Sequence, residues 1–111
     1  MADLVNVDVA QARDLVAGGA LLLDVREDAE FDLGHAPGAL HVPLADVPDQ
    51  LAELAKDRQI VCVCRSGGRS ARAANFLMEN GFNVVNLEGG MTAWAESGAP
   101  LESDDGNPVI G

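Results

Sequence analysis

The sequence predicts an α/β domain built on a mainly parallel sheet, and three observations carry that expectation. Apolar runs of strand length alternate along the chain with segments of helical spacing. Ile60-Val61-Cys62-Val63 is apolar and largely β-branched, as a central strand covered on both faces should be. At 111 residues the chain has room for one core and for right-handed crossovers, but not for a second domain.

The elements follow in order. Leu4 to Val7 read as a short first strand. Asp8 is placed to cap a helix, with Gln11 three residues on, and Val9, Ala12 and Val16 recur at helical spacing until Gly18-Gly19. Leu21 to Val25 is a buried strand by length and apolarity, and Asp28 to Leu33 a short helix closed by Gly34. Pro37-Gly38 makes a turn before the brief strand Leu40-His41-Val42, which Pro43 stops. Val47, Leu51 and Leu54 form the next helical stripe, with Pro48 in its first turn. After the Ile60–Val63 strand and a glycine-containing loop, Ser70 is expected to cap a helix. Its inner face is Ala73, Ala74 and Leu77; Arg72, Asn75 and Glu79 lie outside. Gly81 ends that helix, Val84-Val85 is a further strand, and Thr92 to Glu96 a short last helix before Gly98 and Pro100. Residues 1–101 are therefore expected as the folded domain, and residues 102–111 as a flexible acidic tail.

Composition excludes whole classes of function. Hydrophobic residues at 48% and charged residues at 23% rule out disorder, and the apolar run ending at Leu23 is far too short to span a membrane. The N-terminus carries no basic stretch ahead of an apolar one, so no signal peptide is expected and the cytoplasm is the default location. Eighteen acids against seven bases leave a net charge of −11, which should repel nucleic acid and anionic membranes. Three of those bases, Arg65, Arg69 and Arg72, nevertheless fall within eight residues. On charge alone, such a local positive spot fits a solvated helix face as well as it fits a site for an anionic ligand.

That spot surrounds a thiol. Cys64 opens the loop Cys64-Arg65-Ser66-Gly67-Gly68-Arg69, which runs from the best strand into a helix. A thiol there faces free helix N–H groups, has two guanidinium groups in its own loop, and is wrapped by backbone that glycines let fold closely. All three features lower a thiol pKa, and the same cradle suits an anion held against the sulfur. A nucleophilic cysteine attacking an anionic substrate is the direct reading. Cys62, mid-strand between valines, reads as inert core. The two thiols would share a strand face with Cα atoms roughly 6.6 Å apart, awkward for a disulfide, and no zinc-type ligand spacing exists.

Three segments carry a resemblance. Asp24-Val25-Arg26-Glu27 with Glu30-Phe31-Asp32-Leu33-Gly34-His35-Ala36-Pro37-Gly38-Ala39 is similar to the N-terminal motif of rhodanese-type sulfurtransferases. The Cys64–Ser70 loop resembles their active-site loop, and Leu87 to Trp94 with Gly98 to Leu101 their C-terminal motif. The resemblance runs from about Val5 to Leu101 in family order. It implies a single-domain rhodanese with a five-stranded parallel sheet between helices on both faces. Cys64 would carry sulfur as a persulfide. Arg65, Ser66, Gly67, Gly68 and Arg69 would bind the substrate, and Asp24 and Arg26 would support the site. A small anionic donor such as thiosulfate and a thiol, cyanide or protein acceptor are the implied partners, with no metal or organic cofactor. Phosphatases that share the fold place five residues between cysteine and arginine; here four separate Cys64 from Arg69, a tighter cradle suited to a sulfane sulfur. Glu30 stands where two-domain rhodaneses often carry arginine, which implies weaker thiosulfate binding. The alternative is a rhodanese-fold module used for recognition or regulation, against which the intact Cys64 argues. His35, His41 and Trp94 are expected to be structural.

Overall fold

The computed structural model describes residues 3–111. Met1 and Ala2, which enter the expectation of no signal peptide, lie outside them. Five strands, β1 (Val5–Val7), β2 (Leu21–Asp24), β3 (Leu40–His41), β4 (Ile60–Val63) and β5 (Val84–Leu87), form one sheet in the order β1-β5-β4-β2-β3. Every pairing is parallel. The helices are α1 (Val9–Ala17), α2 (Asp28–Leu33), α3 (Gly68–Glu79) and α4 (Gly90–Glu96), with a 3-10 helix over Leu44–Glu53.

Strand alternation divides the core into two layers. Leu23, Ile60, Cys62 and Val84 face the layer closed by α3 and the 3-10 helix, with Val47, Ala73, Ala74 and Leu77. Leu22, Val61, Val63, Val85 and Leu87 face the opposite layer, with Ala12 from α1 and Met91 and Trp94 from α4. All four residues of β4 are buried, as expected of the central strand. No helix among the described residues is long and apolar enough to cross a membrane.

The capping box at Asp8 forms as expected, Asp8 Oδ1 accepting from the Gln11 N–H at 2.8 Å and Gln11 Oε1 from the Asp8 N–H at 2.9 Å. The Val47–Leu54 stripe winds as a 3-10 helix, with Pro48 inside rather than in an α-helical first turn. Proline has no N–H to give and its ring would strike the carbonyl four residues back, so the tighter coil is favoured there. α4 begins at Gly90, two residues before the expected start.

The acidic segment 102–111, expected to be loose, instead lies against the domain. His35 and Glu102 exchange both backbone hydrogen bonds, at 3.0 and 2.8 Å, and the Val109 N–H donates to the Leu33 carbonyl at 3.0 Å. Ile110 packs against the α1/α4 layer. Gly34 permits this approach, because a side chain there would collide with the Val109 backbone. Backbone bonds at Glu102 and Val109, with the Ile110 side chain, thus hold the two ends of the segment against the domain.

Candidate active site

β2 leads outward to β3 through α2, whereas β4 leads the opposite way to β5 through α3. Neighbouring strands whose connections diverge leave a crevice beyond their carboxyl ends, where open parallel sheets place ligands. Cys64 follows β4 directly at that crevice, on the α3 side of the sheet.

The chain then folds back over the sulfur. Gly67 adopts φ +114°, a conformation that favours glycine, and α3 starts at Gly68. Ser70 is therefore not the cap expected from the sequence but lies within the first turn. Its hydroxyl turns back, 3.3 Å from Cys64 Sγ and 3.2 Å from the Gly67 carbonyl oxygen. The Gly67 N–H donates to Sγ at 3.1 Å. Burial pushes the Cys64 thiol up, but the Ser70 hydroxyl and the N–H groups of Ser70, Gly67 and Ser66 outweigh it and hold the thiol below its ordinary value. Of the three features expected to lower the thiol, the peptide donors contribute as foreseen and the loop guanidiniums are not among the principal stabilisers; the Ser70 hydroxyl is the addition. For Cys62, burial with the neighbouring Cys64 pushes the thiol up to about 12, so it stays protonated. Both cysteines are free.

The segment from Leu87 to Trp94, singled out above only by its resemblance to a family motif, has a physical task. Its N–H groups anchor the loop: Met91 donates to the Cys64 carbonyl at 2.8 Å and Thr92 to the Arg65 carbonyl at 3.0 Å. A trans peptide opposes its N–H to its C=O, so pinning the Arg65 carbonyl on α4 aims the Ser66 N–H the other way, toward sulfur. Gly90 makes the docking possible, since a Cβ there would collide with the Cys64 and Arg65 carbonyls.

The three arginines separate. Arg69 is held by Glu30 through two bonds, Nη1 to Oε1 at 2.6 Å and Nη2 to Oε2 at 2.9 Å. Arg65 is exposed and makes no ion pair among the described residues. Arg72, exposed on α3, lines with Arg69, Val47, Ala73 and Phe76 a cavity of about 440 Å³ between α3 and the 3-10 helix. Of the expected substrate-binding residues, Gly67 reaches the sulfur directly and the Ser66 N–H contributes to it, while Gly68 opens α3. The Arg69 charge is largely answered by Glu30.

Glu30 is lowered from an ordinary 4.5 to about 2, chiefly by its bond to Arg69 against the opposing effect of burial. The stability this contributes is present above pH 4.5 and lost as pH falls toward 2. Glu30→Gln is expected to lower stability by about 1 kcal/mol near neutrality, the worth of a partly exposed pair. Urea unfolding of the two proteins along an acid series should show that gap closing below pH 4.5.

Asp24 and Arg26 form a buried ion pair with side chains 0% and 1% exposed. Arg26 Nε and Nη2 both reach the Asp24 carboxylate, at 2.8 to 3.1 Å, and Nη2 also donates to the Gly34 carbonyl at 2.8 Å. The pair ties the end of β2 to the chain leaving α2, and Asp24 accepts from Arg26 rather than from the cysteine loop. Phe31 is sandwiched between His35 and His41, with ring centroids 3.8 and 4.2 Å away. Trp94 packs in the core and donates to the Pro100 carbonyl at 2.7 Å. Among the described residues no three His, Cys, Asp or Glu side chains gather as metal ligands.

Fold and site together define a parallel α/β domain centred on a thiol made acidic by its own loop. The chain belongs to the rhodanese-like domain family, whose pattern matches residues 8–97. It is 44% identical over 87 residues to a sulfurtransferase of Allochromatium vinosum, covering 78% of this chain and 81% of that one. It is 37% identical to thiosulfate sulfurtransferase 16, chloroplastic, of Arabidopsis thaliana, covering 88% and 92%. A crystal structure of a rhodanese-related protein from Thermoplasma volcanium superposes with a TM-score of 0.83 at 30% identity, covering 88% and 97%. Family and relatives support sulfur transfer as the general chemistry.

Proposed function

We propose that this protein moves a sulfane sulfur from a small anionic donor to a nucleophilic acceptor through a persulfide on Cys64. The observation that carries the reading is the ring of donors on Sγ, the Gly67 N–H at 3.1 Å and the Ser70 hydroxyl at 3.3 Å, which favours the thiolate. With thiosulfate as donor, a name its Arabidopsis relative bears, the thiolate attacks the outer sulfur. The S–S bond breaks, sulfite leaves with the electron pair, and Cys64 keeps the sulfur as a persulfide anion. Cyanide or an acceptor thiolate then attacks that outer sulfur, and Cys64 departs as the thiolate its loop stabilises. Arg65 draws the donor in. Arg65→Ala is expected to slow persulfide formation roughly threefold to fivefold, the worth of one screened surface charge. Arg69→Ala should act mainly by releasing Glu30. Stopped-flow persulfide formation with both variants checks the distinction.

Cys64 is only 1% exposed, which favours a second reading, a module that recognises a partner without chemistry. Intact mass separates the two. Incubation with thiosulfate should add one sulfur atom, and cyanide should then remove it. No gain at any donor concentration overturns the sulfur-transfer reading.

A further inference from the structure

Asn86 lies mid-strand in β5, paired with Cys62 of β4, and is 3% exposed. A buried amide in an apolar strand needs an explanation, the more so because its Oδ1 has no hydrogen-bond partner. Its Nδ2 has two: Asn6 Oδ1 of β1 at 3.0 Å and the Gly67 carbonyl at 3.3 Å. The orientation is fixed by chemistry, because a backbone carbonyl can only accept. The Gly67 carbonyl also takes the Ala71 N–H at 3.0 Å. A carbonyl oxygen has two lone pairs, and these two N–H donors fill them. The Ser70 hydroxyl has a single proton and two acceptors within reach, that carbonyl and Cys64 Sγ.

We propose that Asn86 is a positioning residue for the sulfur chemistry: by occupying the Gly67 carbonyl it leaves the Ser70 proton to the Cys64 sulfur. Without the Asn86 donor, the Gly67 carbonyl competes for that proton and the thiolate loses its hydroxyl bond for part of the time. Asn6 holds the amide in place from the neighbouring strand. The inference rests on Cys64 being the sulfur-carrying nucleophile. The other charged and titratable groups that act on the sulfur are Arg69, with its partner Glu30, and Cys62, and Arg65 adjoins Cys64 in the chain. None of them hydrogen-bonds to Asn86.

The test is a double-mutant cycle read in the pH dependence of Cys64 alkylation, in a Cys62→Ala background. Asn86→Leu should raise the midpoint by roughly half a unit to one unit, a threefold to tenfold fall in the acid dissociation constant of the thiol. Ser70→Ala should raise it by at least as much. In the double variant the leucine should add nothing, because the proton it misdirects is already gone. Asn86→Ser, too short to reach Gly67, is measured alongside and decides the matter if the leucine variant does not fold. Additive shifts, or an unmoved midpoint for the folded Asn86 variants, overturn the inference. Sulfur loading by intact mass is followed in parallel. A chain that loads no sulfur refutes the parent reading, whereas the alkylation cycle still reports whether Asn86 acts through Ser70.

Discussion

Cys64→Ser is expected to reduce sulfur transfer by more than about a thousandfold, since removing the nucleophile removes the covalent intermediate itself. A serine hydroxyl in the same ring of donors would stay protonated at neutral pH and bind sulfur poorly as a nucleophile. Cys62→Ser should leave turnover within about threefold while lowering stability by about 1–3 kcal/mol, because its hydroxyl would be buried among apolar neighbours. The contrast follows from two residues of spacing. Cys62 is inside β4, 0% exposed, with its thiol pushed up to about 12, whereas Cys64 meets Gly67 and Ser70. Turnover with thiosulfate and cyanide, beside urea unfolding, measures both halves. Equal activity losses in two folded variants would mean that the loop does not select its sulfur.

The largest effect on stability is expected from Arg26→Ala. It strands the Asp24 carboxylate in a fully buried position and frees the Gly34 carbonyl that Arg26 Nη2 holds. Breaking one partner out of such a pair costs about 3–5 kcal/mol, a large part of the total stability of a domain of this size. Equilibrium unfolding in urea should show a midpoint far below that of the parent. A loss under about 1 kcal/mol would mean that water reaches Asp24 in the native state.

Most of the fold was legible because strand signals here are dense. The β-branched run at Ile60 to Val63 identified the central strand, and residues 84–85 marked β5 to within two positions. The misreadings have physical reasons. Serine is a good cap in general, but Gly67 took the left-handed turn and moved Ser70 inside the helix. Periodicity cannot separate a 3-10 coil from an α-helix over so few residues, and Pro48 tipped that balance. Acidity suggested a loose C-terminal segment, yet the Val109 N–H and the Ile110 side chain decide its position.

At the candidate site, Cys64 and its loop were legible from the strand-to-helix junction together with the clustered arginines and the loop glycines. Their wiring was not. The bond of Arg69 to Glu30 joins residues thirty-nine positions apart, and that of Asn86 to Gly67 spans nineteen. Such contacts depend on which strands become neighbours, and it is the final order that sets β2 and β5 on either side of β4. The role of α4 is hidden for the same reason, because backbone N–H donors at Met91 and Thr92 leave no mark in side-chain identity beyond the small Gly90.

The central claim is that the sulfur rides on Cys64, and locating it on the chain tests that most directly. The protein is loaded with thiosulfate, trapped by alkylation and digested, and the peptide carrying both cysteines is sequenced by fragment-ion mass spectrometry. The account predicts one added sulfur atom, on Cys64, with Cys62 unmodified. Added sulfur on Cys62, or none on either residue while cyanide is still converted, would contradict it.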